Sequence, residues 1–224
     1  MIRMMLPDGS ERQVVAGIRL DDAARAIDPR LGAGAVCASV DGTLHDLRDR
    51  LEQDCRLTIH TDATPEGARV AGHTAAHIVA QAVKRLFPDA VLGRGPSSGA
   101  GFFHDFDIGR PLLDEDLRRI EAEIERIIAE DWPIERLEMS KGDARSLLIR
   151  RGEVLKLEVL EEIAAPRVTV YCHGEYVDVC RGPHLASTGR LPSVRLDRVD
   201  EASWRDDPNA ESLHRIHGTI VARV

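Results

Sequence analysis

The sequence predicts an α+β chain built from two modules of unequal size, on three observations. Residues 1–62 alternate short apolar runs with Asp-Gly turns around one helix, in the order ββαββ, which fits a small β-grasp, ubiquitin-like domain. A polar stretch containing Pro and Gly, DATPEGAR at 62–69, then breaks the pattern. Beyond it, long amphipathic helices are followed by a hairpin, the signature of a separate α+β domain. The boundaries expected are a first domain at 1–62, a linker at 63–70 and a second domain at 71–224.

The elements follow in order. IRMMLPDGSERQVV reads as two strands joined at Asp8-Gly9, and LDDAARAID as a helix with acidic residues in its first turn, where the helix dipole favours them. AVCASVDGTLHDL gives another strand and a second Asp-Gly turn at 41–42, and CRLTIHT closes the module. Here His45 and His60 are expected to be ordinary surface or edge residues. In the second module GHTAAHIVAQAVKRLF reads as a helix ending before Pro88. LDEDLRRIEAEIERIIAED carries Leu117, Ile120, Ile124, Ile127 and Ile128 at three-to-four spacing. Ser140 and Asp143 form the polar N-cap and acidic N3 of a shorter helix. RVTVYCHGEYVDVC predicts a hairpin through His173-Gly174, and RIHGTIVARV a closing strand.

Composition narrows the class. The chain has 224 residues, 43% of them hydrophobic but only 4% aromatic, so its core must be largely aliphatic. No apolar run approaches the ~20 residues of a membrane helix, and Pro7 and Asp8 interrupt any signal-peptide core. The expectation is a cytoplasmic protein without membrane attachment. With a formal charge of −8, it is not an indiscriminate nucleic-acid binder, although it could hold the end of a strand. Of its four cysteines, Cys37 and Cys55 lie in apolar runs and are expected to be inert core residues.

Chemistry concentrates in two short stretches. In HTAAH, His73 and His77 sit one helical turn apart and point away from the Ala75, Val79, Ala82, Leu86 stripe. On the helix alone they read equally as solvated surface residues or as a functional pair; Thr74 and Ala75 exclude the HExxH protease pattern. In VDVCRGPHL, strand alternation puts Tyr176, Asp178 and Cys180 on one polar face and Val177 and Val179 on an opposite core face. The turn Arg181-Gly182-Pro183 returns His184 toward Cys180. Together HxxxH and CxxxH offer a tetrahedral zinc set, His73, His77, Cys180 and His184, or a metal-free cluster that positions water. Asp178 can orient a histidine or hold that water; its alternative is a solvated strand-edge charge. Lys156 reads locally as an ordinary helix lysine. His104 and His173 are the remaining histidines best suited to line a cleft.

HTAAH, GRGPSSGAGFFHDFD, RRGEVLK, EYVDVCRGPHL and RIHGTI occur in the order found in bacterial threonyl-tRNA synthetases, and the chain resembles their N-terminal half over essentially its whole length. The front module, with LPDGS and its helix, resembles their TGS domain. The resemblance implies a threonyl/alanyl-tRNA synthetase-type editing domain after it, which hydrolyses serine wrongly esterified to the 3′ end of tRNA(Thr). It assigns His73, His77, Lys156, Asp178, Cys180 and His184 to catalysis, and His104, Tyr176, Arg181, Gly95 and Pro96 to substrate binding. His104 stands where the family usually has tyrosine, so no contact of that tyrosine is carried over; Thr74 and Val179 replace the usual Ser and Met.

The resemblance further implies that editing needs no metal, although the related alanyl-type domain holds zinc at the same four positions. ATP, Mg and a further zinc would belong to the class II catalytic domain that the family places after Val224. The expected chain is therefore a monomeric fragment, its homodimeric parent joining threonine to tRNA(Thr), or a free-standing trans-editing deacylase. A non-catalytic tRNA-docking or regulatory TGS protein with a structural zinc site is the alternative. An alanyl-type enzyme is disfavoured by the front module and by CRGPH.

Overall fold

The computed structural model describes residues 1–98 and 101–221, with the side chain of Ser98 left aside. Gly99 and Ala100 of the GRGPSSGAG motif, and residues 222–224 of the expected closing strand, lie outside them. The chain divides into two compact units. Met1–Ala71 with Gly182–Leu185 forms one, and Gly72–Arg181 with Ala186–Val224 forms the other. No helix among the described residues is long and apolar enough to cross a membrane.

The first unit has the β-grasp architecture. Its strands are β1 (Ile2–Met5), β2 (Glu11–Val14), β3 (Ile18–Arg19), β4 (Ala35–Val40), β5 (Thr43–His45), β6 (Arg50–Leu51) and β7 (Cys55–Thr61), with helices α1 (Leu20–Ile27) and α2 (Pro29–Gly34) between β3 and β4. The main sheet runs β2-β1-β7-β4-β5, with β1 and β7 parallel at its middle, and β3 pairs β6 separately. Ile2, Met4, Leu20, Ala23, Leu51 and Leu57 form the core beneath α1. Asp41 and Gly42 both have positive φ, the backbone a two-residue hairpin needs. Cys37 is fully buried, and burial pushes its thiol up to about 12, as suits an inert core residue. His60 departs from the expected surface position. It is buried, with Nε2 2.7 Å from the Ser39 hydroxyl of the neighbouring strand β4 and Nδ1 3.5 Å from the Glu66 carboxylate.

α3 (Pro65–Leu86) starts inside the expected linker, since Pro65 suits the first helical turn and the Thr64 hydroxyl accepts the Gly67 N–H. Along its second-unit part, Ala75, Ala76, Ile78, Val79, Ala80, Ala82 and Val83 are all fully buried. The helix is therefore enclosed on more than the one stripe its periodicity suggested.

Around α3, β8 (Val91–Leu92), β9 (Ser97–Ser98) and β10 (Gly101–Asp107) lead to α4 (Asp114–Glu130), which buries Ile120, Ile124, Ile127 and Ile128. β11 (Glu135–Ser140), α5 (Lys141–Arg151), α6 (Val154–Glu161), β12 (Arg167–His173) and β13 (Tyr176–Val179) follow, then β14 (Ser193–Ser203) and β15 (Ser212–Val221). β14-β15-β10-β8 make one sheet, with β9 also on β10, and β11-β12-β13 another. Ser140 caps α5 as expected: its hydroxyl accepts the Asp143 N–H at 3.0 Å. Gly152, at φ 72°, ends α5 and turns the chain directly into α6.

Candidate active site

β12 and β13 form the expected hairpin, with Gly174 at positive φ beside His173. The pairing outlasts β13: Cys180 N–H donates to Thr169 O at 3.1 Å, and the Thr169 hydroxyl donates to Cys180 O at 2.6 Å. Both sides of Cys180 are thus tied to the sheet. Its Sγ lies 3.2 Å from His73 Nε2 on α3. Donor atoms of His73, His77 and Cys180 all lie within 4.8 Å of one another. The His73 and His77 rings meet edge to face, with centroids 5.2 Å apart.

The polar face of β13 is its buried face. Tyr176 and Asp178 are enclosed, while Val177 and Val179 are half-buried, Val179 packing on the Ala144, Leu148, Leu160 and Val168 core; the polar face is thus the more deeply buried of the two. The reason is what lies opposite: not an apolar layer but the histidines of α3 and the lysine of α6. Lys156 Nζ donates to Asp178 Oδ2 at 2.6 Å, and both side chains are at most 9% exposed. The solvated helix lysine and the solvated strand-edge carboxylate are therefore both excluded. The Tyr176 hydroxyl donates to the same oxygen at 3.4 Å, and His77 Nε2 lies 3.9 Å from it. His77 is buried too, ruling out a solvated pair. Asp178 Oδ1 is buried without a hydrogen-bond partner among the described residues.

Two further histidines stand by, held neutral. His104 Nδ1 lies 2.9 Å from the carbonyl of Asp105, which can only accept, so Nδ1 carries the proton and Nε2 is an acceptor. Burial pushes its imidazole down to about 3, helped by the neighbouring Lys156 charge. Gly95 lies against this ring so closely that a Cβ would overlap it. His173 stacks on Tyr176 with centroids 4.9 Å apart, and burial pushes it down to about 4. Its Nδ1 is 2.8 Å from Gln81 Oε1. Burial likewise raises the Tyr176 hydroxyl well above its usual range, so it stays a donor.

The other sequence candidates fall around this centre. A cavity of about 680 Å³ is lined by Val159, Ile163, Val179, Cys180, Arg94 and Arg181. It gives a mostly apolar approach to the thiol with two arginines at hand. Pro96 accepts the Phe103 N–H at 3.2 Å and lines a separate, smaller cavity. His184 is buried in the Gly182–Leu185 segment, which groups with the first unit. Its N–H donates to Asp46 Oδ2 at 3.4 Å, and the Arg48 guanidinium donates to the carbonyls of His184 and Leu185 at 3.5 and 3.1 Å.

Sequence reasoning passed over Gln81 and Glu153, both buried polar residues. Gln81 continues the HxxxH spacing one more turn, and Glu153 lies inside RRGEVLK, so a signal for each was present. Two imidazoles and a thiol at this separation suit zinc. Without metal, the same groups and the Lys156–Asp178 pair form a preorganised polar pocket.

These features define a class: a β-grasp module joined to an α+β domain whose polar site is built from HxxxH on a helix and DxC at a hairpin end. Residues 2–61 match the TGS domain, and residues 168–217 match the threonyl and alanyl tRNA synthetase second additional domain. Over nearly its whole length the chain is similar to the N-terminal region of threonyl-tRNA synthetases. It is 44% identical over 98% of its length to a threonine–tRNA ligase of Symbiobacterium thermophilum, covering 34% of that protein. It is 45% identical over 99% of its length to one of Thermotoga maritima, again 34% of the relative. With threonine–tRNA ligase 2 of Bacillus subtilis the figures are 43%, 99% and 35%. The chain spans about a third of the length of these curated relatives.

Proposed function

We propose that the second unit hydrolyses the ester joining serine to the 3′-terminal ribose of tRNA(Thr). The observation that carries this reading is the buried Lys156–Asp178 pair set against His73, His77 and Cys180. A buried carboxylate oxygen without a partner calls for a donor, and a water or the substrate's ammonium group supplies one at Asp178 Oδ1. Water attacks the ester carbonyl and the carbon–ribose oxygen bond breaks; one of the water's protons goes to the ribose oxygen, and serine leaves as its carboxylate with the other proton released to solvent. Lys156, His73 and Asp178 position the water and the ribose or amino group; His77 and Cys180 shape the pocket. His184 keeps the role its motif gives it. The apolar cavity beside Cys180, with Arg94 and Arg181, suits the terminal nucleoside and its phosphate.

The need for such a site follows from energetics. One methyl distinguishes threonine from serine and is worth only ~1–3 kcal/mol in a binding pocket. A second pocket that admits the smaller ester supplies the missing discrimination. The parent protein would join threonine to tRNA(Thr) in the cytoplasm, using ATP and metal in a domain outside this chain.

Deacylation of matched seryl- and threonyl-tRNA(Thr) tests the reading. The chain is expected to hydrolyse the seryl ester and spare the threonyl ester, and His73→Ala is expected to lower the rate by about 10²-fold. Equal, slow loss of both esters would sink it. The second reading, a structural zinc site in a non-catalytic module, is favoured by the close His73, His77, Cys180 donors. Stoichiometric zinc together with unfolding on chelation, in a chain inert toward seryl-tRNA, would establish it instead.

A further inference from the structure

Lys156 reaches Asp178 from α6, a helix of only eight residues. Something beyond the helix must fix its register, because a one-residue rotation would swing Lys156 by about 100° away from the pair. Glu153 is the residue immediately before α6, and its side chain does not cap that helix. It turns elsewhere: Oε1 lies 3.0 Å from Lys84 Nζ on α3, and Oε2 accepts the Leu92 N–H of β8 at 3.0 Å. Its backbone is held as well, with the N–H donating to Leu148 O of α5 and the carbonyl accepting from Leu157. The side chain is 3% exposed.

A buried ion pair is weak evidence for stability, since desolvation offsets most of the attraction, and its best-attested use is to fix register. Here the register has a chemical consequence. α3 carries His73 and His77, and Lys84 lies on that same helix; α6 carries Lys156 three residues after Glu153. We propose that Glu153 is a positioning residue: it locks the first turn of α6 to the histidine helix and so sets Lys156 against Asp178. The proposal rests on the hydrolytic reading for its kinetic consequence, while the placement of Lys156 is measurable without it.

The experiment uses the full chain and two variants, Glu153→Ala and Glu153→Gln; Gln keeps an acceptor for the Leu92 N–H but loses the charge facing Lys84. Two quantities are read: kcat and KM on seryl-tRNA(Thr), and the ammonium resonance of 15N-labelled Lys156. In Glu153→Ala kcat is expected to drop about a hundredfold with KM within about twofold, as for a misplaced catalytic group. Glu153→Gln is expected to fall between that variant and wild type. In both, the Lys156 resonance moves. If Glu153→Ala does not fold, Glu153→Gln alone carries the test. A folded variant with an unchanged Lys156 resonance overturns the proposal, whether its kcat falls or not. If the wild-type chain proves inert on seryl-tRNA, the hydrolytic reading fails, and the Lys156 resonance alone decides the positioning role.

Discussion

Lys156 and Asp178 are the clearest case of a pair that neither residue announces by itself. The sequence around Lys156, VLKLEVL, is apolar on all sides and has no period from which its burial could be read. The family resemblance alone singled it out. Asp178 was nearer to legible, because alternation put it on one face with Cys180; what alternation could not supply was what that face looks into. The face is buried because it meets a lysine and histidines from distant segments, and such long-range partners leave no local pattern. The pair makes a quantitative prediction. Asp178→Ala or Lys156→Ala leaves a buried charge uncompensated, at a cost of about 3–5 kcal/mol. The double replacement Lys156→Ala with Asp178→Ala removes both charges and should cost less than the sum of the singles. Urea unfolding of all four proteins checks this double-mutant cycle; additive losses would mean that the two side chains do not stabilise each other.

At the scale of elements, helices with strong periodicity were readable. α4 buries the isoleucines its spacing selected, and α5 starts at the capping residue expected. α3 was only half readable: its apolar stripe was identified, but its other faces carry alanines that also suit an exposed helix. Only the surrounding sheets and α4 distinguish the two, and they lie up to a hundred residues away. The close approach at Gly95 is another feature local propensity cannot show. The loop between β8 and β9 passes the His104 ring at Gly95 at a distance no side chain permits. Gly95→Ala must therefore push either the loop or the ring, an overpacking cost of about 1–3 kcal/mol. Thermal melting should show the loss, and a smaller residue at 104, as in His104→Ala, should relieve the strain that Gly95→Ala introduces. If Gly95→Ala melts like wild type, the ring has room that the geometry denies it.

At the scale of the molecule, the second unit's stability should respond to acid in a defined window. In the second unit, burial holds His104 down to about 3 and His173 down to about 4, against an ordinary value of 6.5. Between those limits the unfolded chain binds protons that the folded unit refuses, so stability falls as pH drops below 6.5. The slope approaches about 1.4 kcal/mol per pH unit for each fully neutral histidine. Carboxylates act lower. Hydrogen bonds from Arg110 hold Asp116 down to about 2 from 3.8, and those from Arg85 hold Glu175 down to about 2 from 4.5. A depressed carboxylate gives stability that is present above its unfolded value, so these contributions fade only below about pH 4.5. The window from 6.5 to 4.5 therefore belongs to the buried imidazoles. Melting temperature measured across that window should fall in the wild-type chain and fall less steeply in His104→Asn and His173→Asn, which cannot take up the proton. Parallel curves for wild type and both variants would show that these two rings are not what makes the unit sensitive to acid.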